Sequence, residues 1–182
     1  MSNTLCVEIN YLINQEDNLL IFLGYIFMSF LIFAPILVSP FNHTDTMLKE
    51  YYFGKDKIHS FSLDAVFIML YFTFIWTAFV QLHDKVKINK TLLLVLITCL
   101  IVILFDGLLV PILGLFKPGS KGAFIKKWGE TAGMYAIGWD LFYLNTILLG
   151  ALTLLKLNRK FKTNQGILPI LGVVYTGALL YV

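Results

Sequence analysis

The chain has 182 residues, of which 58% are hydrophobic and 14% charged, with a formal net charge of +3 and a mean hydropathy of +0.80. A water-soluble domain carries about 25% charged residues, so this composition excludes a chain surrounded by water and makes the bilayer its solvent. It also excludes a nucleic-acid binder, which needs a dense basic face with interleaved aromatics.

Residues 1–18 hold Glu8, Glu16 and Asp17 but no Lys or Arg. A cleavable leader needs a positively charged start, so the first apolar segment is expected to be retained. Four apolar runs have the length of about 20 residues that crosses a bilayer core: Leu19–Ser39, Phe61–Leu82, Thr91–Phe116 and Met134–Leu155. A fifth, Ile167–Val182, reaches only about 24 Å at helical rise and reads as a short span. The expected fold class is an all-α polytopic membrane bundle, a single domain over residues 1–182.

The connections at 40–60, 83–90, 117–131 and 156–166 are polar and carry the Pro, Gly, Asn or Lys that ends a helix. Loops one and three together hold seven lysines, and loops two and four hold seven Lys and Arg. The positive-inside rule therefore ties and leaves orientation open. Cys6 and Cys99 form no C-x-x-C and suggest neither thiol redox work nor a zinc site.

Asp64, Asp106 and Asp140 fall within spans. Because spans alternate direction, loops one and three share one side, and all three acids lie towards it. Asp64 is just inside its span. Asp140 is about 9 Å deep and Asp106 about 15 Å, counted at 1.5 Å per residue. Carboxyls within a span are candidates for proton or cation handling. The plainer alternative is interhelical glue, an Asp bonded to Tyr143 or Thr146 for roughly 0.6–2 kcal/mol. Asp64 reads as an interfacial helix-start residue.

Pro111 removes the helical partner of the Gly107 carbonyl, which suggests a polar pocket beside Asp106. Gly107, Pro111 and Gly114 share a smooth face on which another helix could approach. In span four, Tyr135, Trp139, Tyr143, Thr146, Gly150 and Thr153 recur on one stripe, with Asp140 at its edge and Asn145 away from it. That stripe is expected to face inward and Leu141, Leu148 and Leu152 to face lipid. Thr73, Trp76, Thr77 and Gln81 of span two are candidate partners.

At the membrane boundary, His43, Asp45, His59 and Glu130 are candidates for an interfacial enzyme site, but no H-E-x-x-H spacing joins them. Lys126, Lys127 and Trp128 read as a lipid-headgroup anchor. No nucleophile elbow, P-loop or dinucleotide fingerprint is present, so no metal or cofactor is expected. A T-V-G-Y-G filter and a series of arginines are also absent. The leading expectation is a membrane-embedded subunit or scaffold whose partners are the bilayer and other membrane subunits or a second copy. The alternatives are a proton- or cation-coupled carrier using the aspartates, and an interfacial enzyme acting on lipid.

Overall fold

A computed structural model of the chain describes residues 2–43, 47–55, 57–113 and 134–161. The fifth segment Ile167–Val182, the residues Asp45, Lys126, Lys127, Trp128 and Glu130, and the side chain of Pro111 lie outside what is described. The described chain is helical: α1 (Ser2–Ile13), α2 (Asn18–Val38), a short 3₁₀ helix (Ser39–His43), α3 (Met47–Phe53), α4 (Lys57–Leu82), α5 (Lys90–Leu113) and α6 (Met134–Phe161). The segments Asn18–His43, Lys57–Leu82, Lys90–Leu108 and Ile137–Lys160 are long and apolar enough to cross a membrane, as expected from the apolar runs. α5 passes through Pro111 without ending.

The helices stop where the chemistry dictates. Asn89 receives the N–H groups of Thr91 and Leu92 at 2.9 and 3.3 Å and so caps α5. Gly54 closes α3 with its N–H on the Glu50 carbonyl at 3.0 Å. A Cβ at Gly54 would collide with that carbonyl, so the turn needs glycine.

Around α2 the bundle closes on aromatic rings. Phe22 stacks on Trp76 at 4.3 Å, and Trp76 donates its indole N–H to Asn18 at 2.8 Å. Phe30 lies 4.6 Å from Phe61. α2 and α6 form the most extensive helix pair. There the Ser29 hydroxyl donates to the Ile147 carbonyl at 2.7 Å, and Gly150 admits Ser29 and Phe33 at a distance no side chain would allow. Leu92, Leu96, Leu100, Ile103, Leu104 and Leu108 form an exposed apolar stripe of α5 at helical spacing.

Three expectations are corrected. First, the fourth membrane helix does not stop at Leu155 but continues to Phe161. Asn158 bonds the Tyr25 hydroxyl of α2 at 2.5 Å and Arg159 bonds Glu8 of α1 at 2.7 Å while covering the Tyr11 ring, so α1 and α2 give these polar residues partners that sustain the helix. Second, the inward face of α6 is not the polar stripe alone. Leu148 and Leu152 are buried, whereas Tyr135 is 88% exposed and Thr153 is exposed. α6 packs against α1, α2 and α5, and in lipid a leucine gains nothing by facing outward, so it does not mark the outer face. Third, the hydroxyls of Thr73 and Thr77 bond carbonyls of their own helix, at Met69 and Thr73, and Gln81 is exposed. Of those four span-two candidates, Trp76 alone reaches another helix by a hydrogen bond.

Candidate functional site

Asp64, Asp106 and Asp140 converge near the end of the bundle that carries α3. Asp140 on α6 bonds Asp106 on α5 and lies within electrostatic reach of Asp64 on α4. Seven residues of helix set Asp64 about 10 Å closer to the start of α4 than Tyr71. The Tyr71 hydroxyl donates to Asp106 Oδ1 at 2.5 Å. The acids thus form a ladder, with Asp64 outermost and Asp106 deepest.

Tyrosines line this ladder. Tyr51 donates to Asp64 Oδ1 at 2.6 Å, and Tyr52 also bonds that carboxyl. Asp64 is therefore more than an interfacial helix start: it ties α3 to α4. Burial pushes the Tyr51 and Tyr52 hydroxyls well above the usual phenol range, and the negative charge of Asp64 pushes the same way. Both phenols are donors at neutral pH. Tyr143 of α6 faces Asp64, Asp140 and Tyr51. Trp139, one turn earlier, stacks on Tyr143 at 5.9 Å and meets Phe41 edge-on at 5.0 Å.

Two polar atoms here lack a hydrogen-bond partner among the described residues. The Tyr143 hydroxyl and the Trp139 indole N–H are sealed from solvent and unpaired there, whereas Asp106 takes the Tyr71 hydroxyl on Oδ1 and also meets Asp140. Asp106 is 8% exposed and Tyr143 4%. An unpaired buried polar group costs about 1–3 kcal/mol, so the Tyr143 hydroxyl and the Trp139 N–H are where a further polar partner would gain most. The glue expected between Asp140 and Tyr143 or Thr146 is not formed: Asp140 meets Asp106 instead, and the Thr146 hydroxyl bonds the Phe142 carbonyl at 2.8 Å. No Lys or Arg partner of Asp64, Asp106 or Asp140 occurs among the described residues, whereas Glu8 has Arg159.

The other candidates stand apart from the ladder. Asn145 donates to the Leu141 carbonyl at 2.8 Å and reaches Cys99 at 3.5 Å. Gly107 is exposed with nothing within 4 Å of a Cβ placed on it, so the surroundings of Asp106 come from Tyr71 and Asp140. His43 and His59 are exposed. Among the described residues no three His, Cys, Asp or Glu side chains gather as metal ligands.

Sequence reasoning missed Tyr51, Tyr52 and Tyr71. Tyr71 carried a signal, since it lies seven residues after Asp64 and therefore on the same helical face. The Tyr51-Tyr52 pair carried none, because its role depends on α3 folding back over the start of α4. Comparison with family models, with curated proteins and with solved structures gives no match, so the site is read from its own geometry.

Proposed function

We propose that this multi-pass membrane protein is a proton- or cation-coupled carrier working through the Asp106–Asp140 pair. One observation carries the reading: two carboxyls from different helices face each other, with no cation beside them among the described residues. Two adjacent carboxylates in a low-dielectric layer repel strongly, so such a pair is stable when it shares one proton and keeps a single negative charge. Asp64 and the phenols of Tyr51 and Tyr52 supply exchange partners towards the α3 end. Tyr71 fixes Asp106 at the deep end.

Two measurements test this. Infrared difference spectra of wild type against the Asp106→Asn/Asp140→Asn double variant are expected to contain the carbonyl band of a protonated carboxyl at neutral pH. Vesicles holding an interior pH dye, under a valinomycin-clamped potassium gradient, are expected to take up protons faster with the wild type than when empty. Each single Asn variant is expected to abolish the difference. An absent carbonyl band, or no flux in the wild type, refutes the carrier.

A subunit or scaffold role is the second reading, favoured by Gly107, which is exposed within the apolar face of α5 and leaves room for a close helix. Gly150, by contrast, is already filled from within the chain by Ser29 and Phe33. Native electrophoresis in mild detergent separates the readings: a strictly monomeric particle removes the scaffold.

A further inference from the structure

We propose that α1 is a releasable cap on the end of the bundle away from the three acids, held shut by a latch of Glu8, Arg159 and Tyr11. The inference uses no part of the carboxyl pair and stands whether or not the carrier reading does.

α1 has 12 residues, too few to cross a bilayer, and it packs against α2, α5 and α6. Its inward face is Leu5, Glu8, Ile9 and Leu12, spaced as one helical stripe. Ile9 and Leu12 are fully buried, while Val7, Asn10 and Tyr11 are exposed. Few side chains therefore hold this helix on three others.

A carboxylate in the inward face makes that docking conditional. Glu8 is nearly sealed, Arg159 donates to its Oε2 at 2.7 Å, and the guanidinium lies 4.1 Å over the Tyr11 ring. One arginine thus grips two residues of α1, one by charge and the other by a ring face. If the arginine lets go while α1 stays docked, a buried carboxylate is left unpaired, which is the costly state. Glu8 then reaches water only by carrying α1 off the bundle. The cap has two stable places: docked with the pair made, or released with both charges in water.

The surrounding contacts let α1 leave alone. Asn158, next to the arginine, bonds the Tyr25 hydroxyl at 2.5 Å, so the end of α6 stays fixed on α2 without help from α1. The link at residues 14–17 is polar, with Asn14, Glu16 and Asp17 exposed. Its side-chain bonds are local, from the Gln15 amide to the Tyr11 carbonyl at 3.3 Å and from the Asn18 amide to the Gln15 carbonyl at 3.2 Å. A short segment of this kind can absorb the backbone rotation of a hinge.

The test follows the docked face with a thiol. Leu12→Cys is placed in the full chain carrying Cys6→Ser and Cys99→Ser, in maltoside micelles, and its labelling by a polyethylene glycol maleimide is timed. Ala34→Cys, buried in α2, reports any opening of the bundle itself. Adding Arg159→Ala is expected to speed labelling of the Leu12→Cys chain by about tenfold or more and to leave the Ala34→Cys chain unchanged. Adding Glu8→Gln as well removes the buried charge and is expected to return the rate most of the way to that of the parent. Cooperative melting transitions establish that each variant folds. An unchanged rate for the Leu12→Cys chain with Arg159→Ala overturns the latch. Equal acceleration of the Ala34→Cys chain overturns it too, because the whole bundle would then be loosening. So does a rate with Glu8→Gln added that stays as high as with Arg159→Ala alone, since the stranded charge would then not be what drives α1 off.

Discussion

Replacing Gly150 by alanine adds one methyl group where α2 and α6 are closest. That methyl would overlap the Ser29 hydroxyl and come within 2.7 and 2.9 Å of two carbons of the Phe33 ring. Ser29 cannot retreat freely, because it is fully buried and its hydroxyl donates to Ile147. Losing that bond inside a membrane bundle costs about 0.6–1.7 kcal/mol, and overpacking a close contact adds about 1–3 kcal/mol. Alanine's better helix propensity returns about 0.5–1 kcal/mol, so a net loss of about 1–3 kcal/mol is expected. For a chain of this size that lowers Tm by roughly 3–10 °C, measurable by tryptophan fluorescence in detergent. Gly24 is the control: it lies in α2 with nothing within 4 Å of a Cβ. There the same substitution should leave Tm unchanged or raise it by up to about 4 °C. If the two variants melt together, the close approach at Gly150 is not what fixes α2 on α6.

Three further outcomes follow from the polar contacts. Arg159→Ala strands Glu8, which is 6% exposed, and should cost about 1–3 kcal/mol because the arginine is itself partly exposed; Glu8→Gln combined with Arg159→Ala should recover most of that, and a double variant as unstable as the single one would count against the pairing. Tyr71→Phe leaves Asp106 without its phenol donor and should lower stability by about 1–2 kcal/mol while moving the carboxyl carbonyl band to higher frequency; an unmoved band would mean the bond does not form. Tyr51 and Tyr52 ionise later in the folded chain than in the unfolded one, so the stability they contribute is complete below about pH 10 and falls above it by about 1.4 kcal/mol per pH unit per phenol. Tm between about pH 9 and 11 should therefore drop less steeply in Tyr52→Phe than in wild type, and identical slopes would refute the buried phenol.

The spans were legible because a chain that must satisfy every backbone group inside lipid announces itself by length and apolarity. The ladder of acids was partly legible for a related reason: alternating helix direction and 1.5 Å per residue fix depth without any side-chain detail. Helix faces were not legible. Leu148 and Leu152 read as lipid-facing yet are buried, while Tyr135 read as inward and is exposed, since lipid and protein interior are equally welcoming to leucine. α1 and α3 were missed as packing elements because their sequences, SNTLCVEINYLI and MLKEYYF, are too short to span and carry polar residues whose partners lie far along the chain. Glu8 finds Arg159 and Tyr51 finds Asp64 only after folding.

The two ends of the bundle treat buried acids differently, and the contrast bears on function. At the α1 end Glu8 is nearly sealed, and the fold brings Arg159 to it from 151 residues away, with Tyr11 beneath the guanidinium. A carboxylate kept only for structure is best held this way, since an unpaired buried charge is costly. At the α3 end three carboxyls gather, and among the described residues their partners are phenols and one another. Phenols give hydrogen bonds but no compensating charge, so among the described residues the two ends hold their buried acids by different means. This contrast is what the proposed carrier role rests on: a carboxylate held by an arginine gains nothing from a proton, whereas carboxyls held by phenols and by one another can share one.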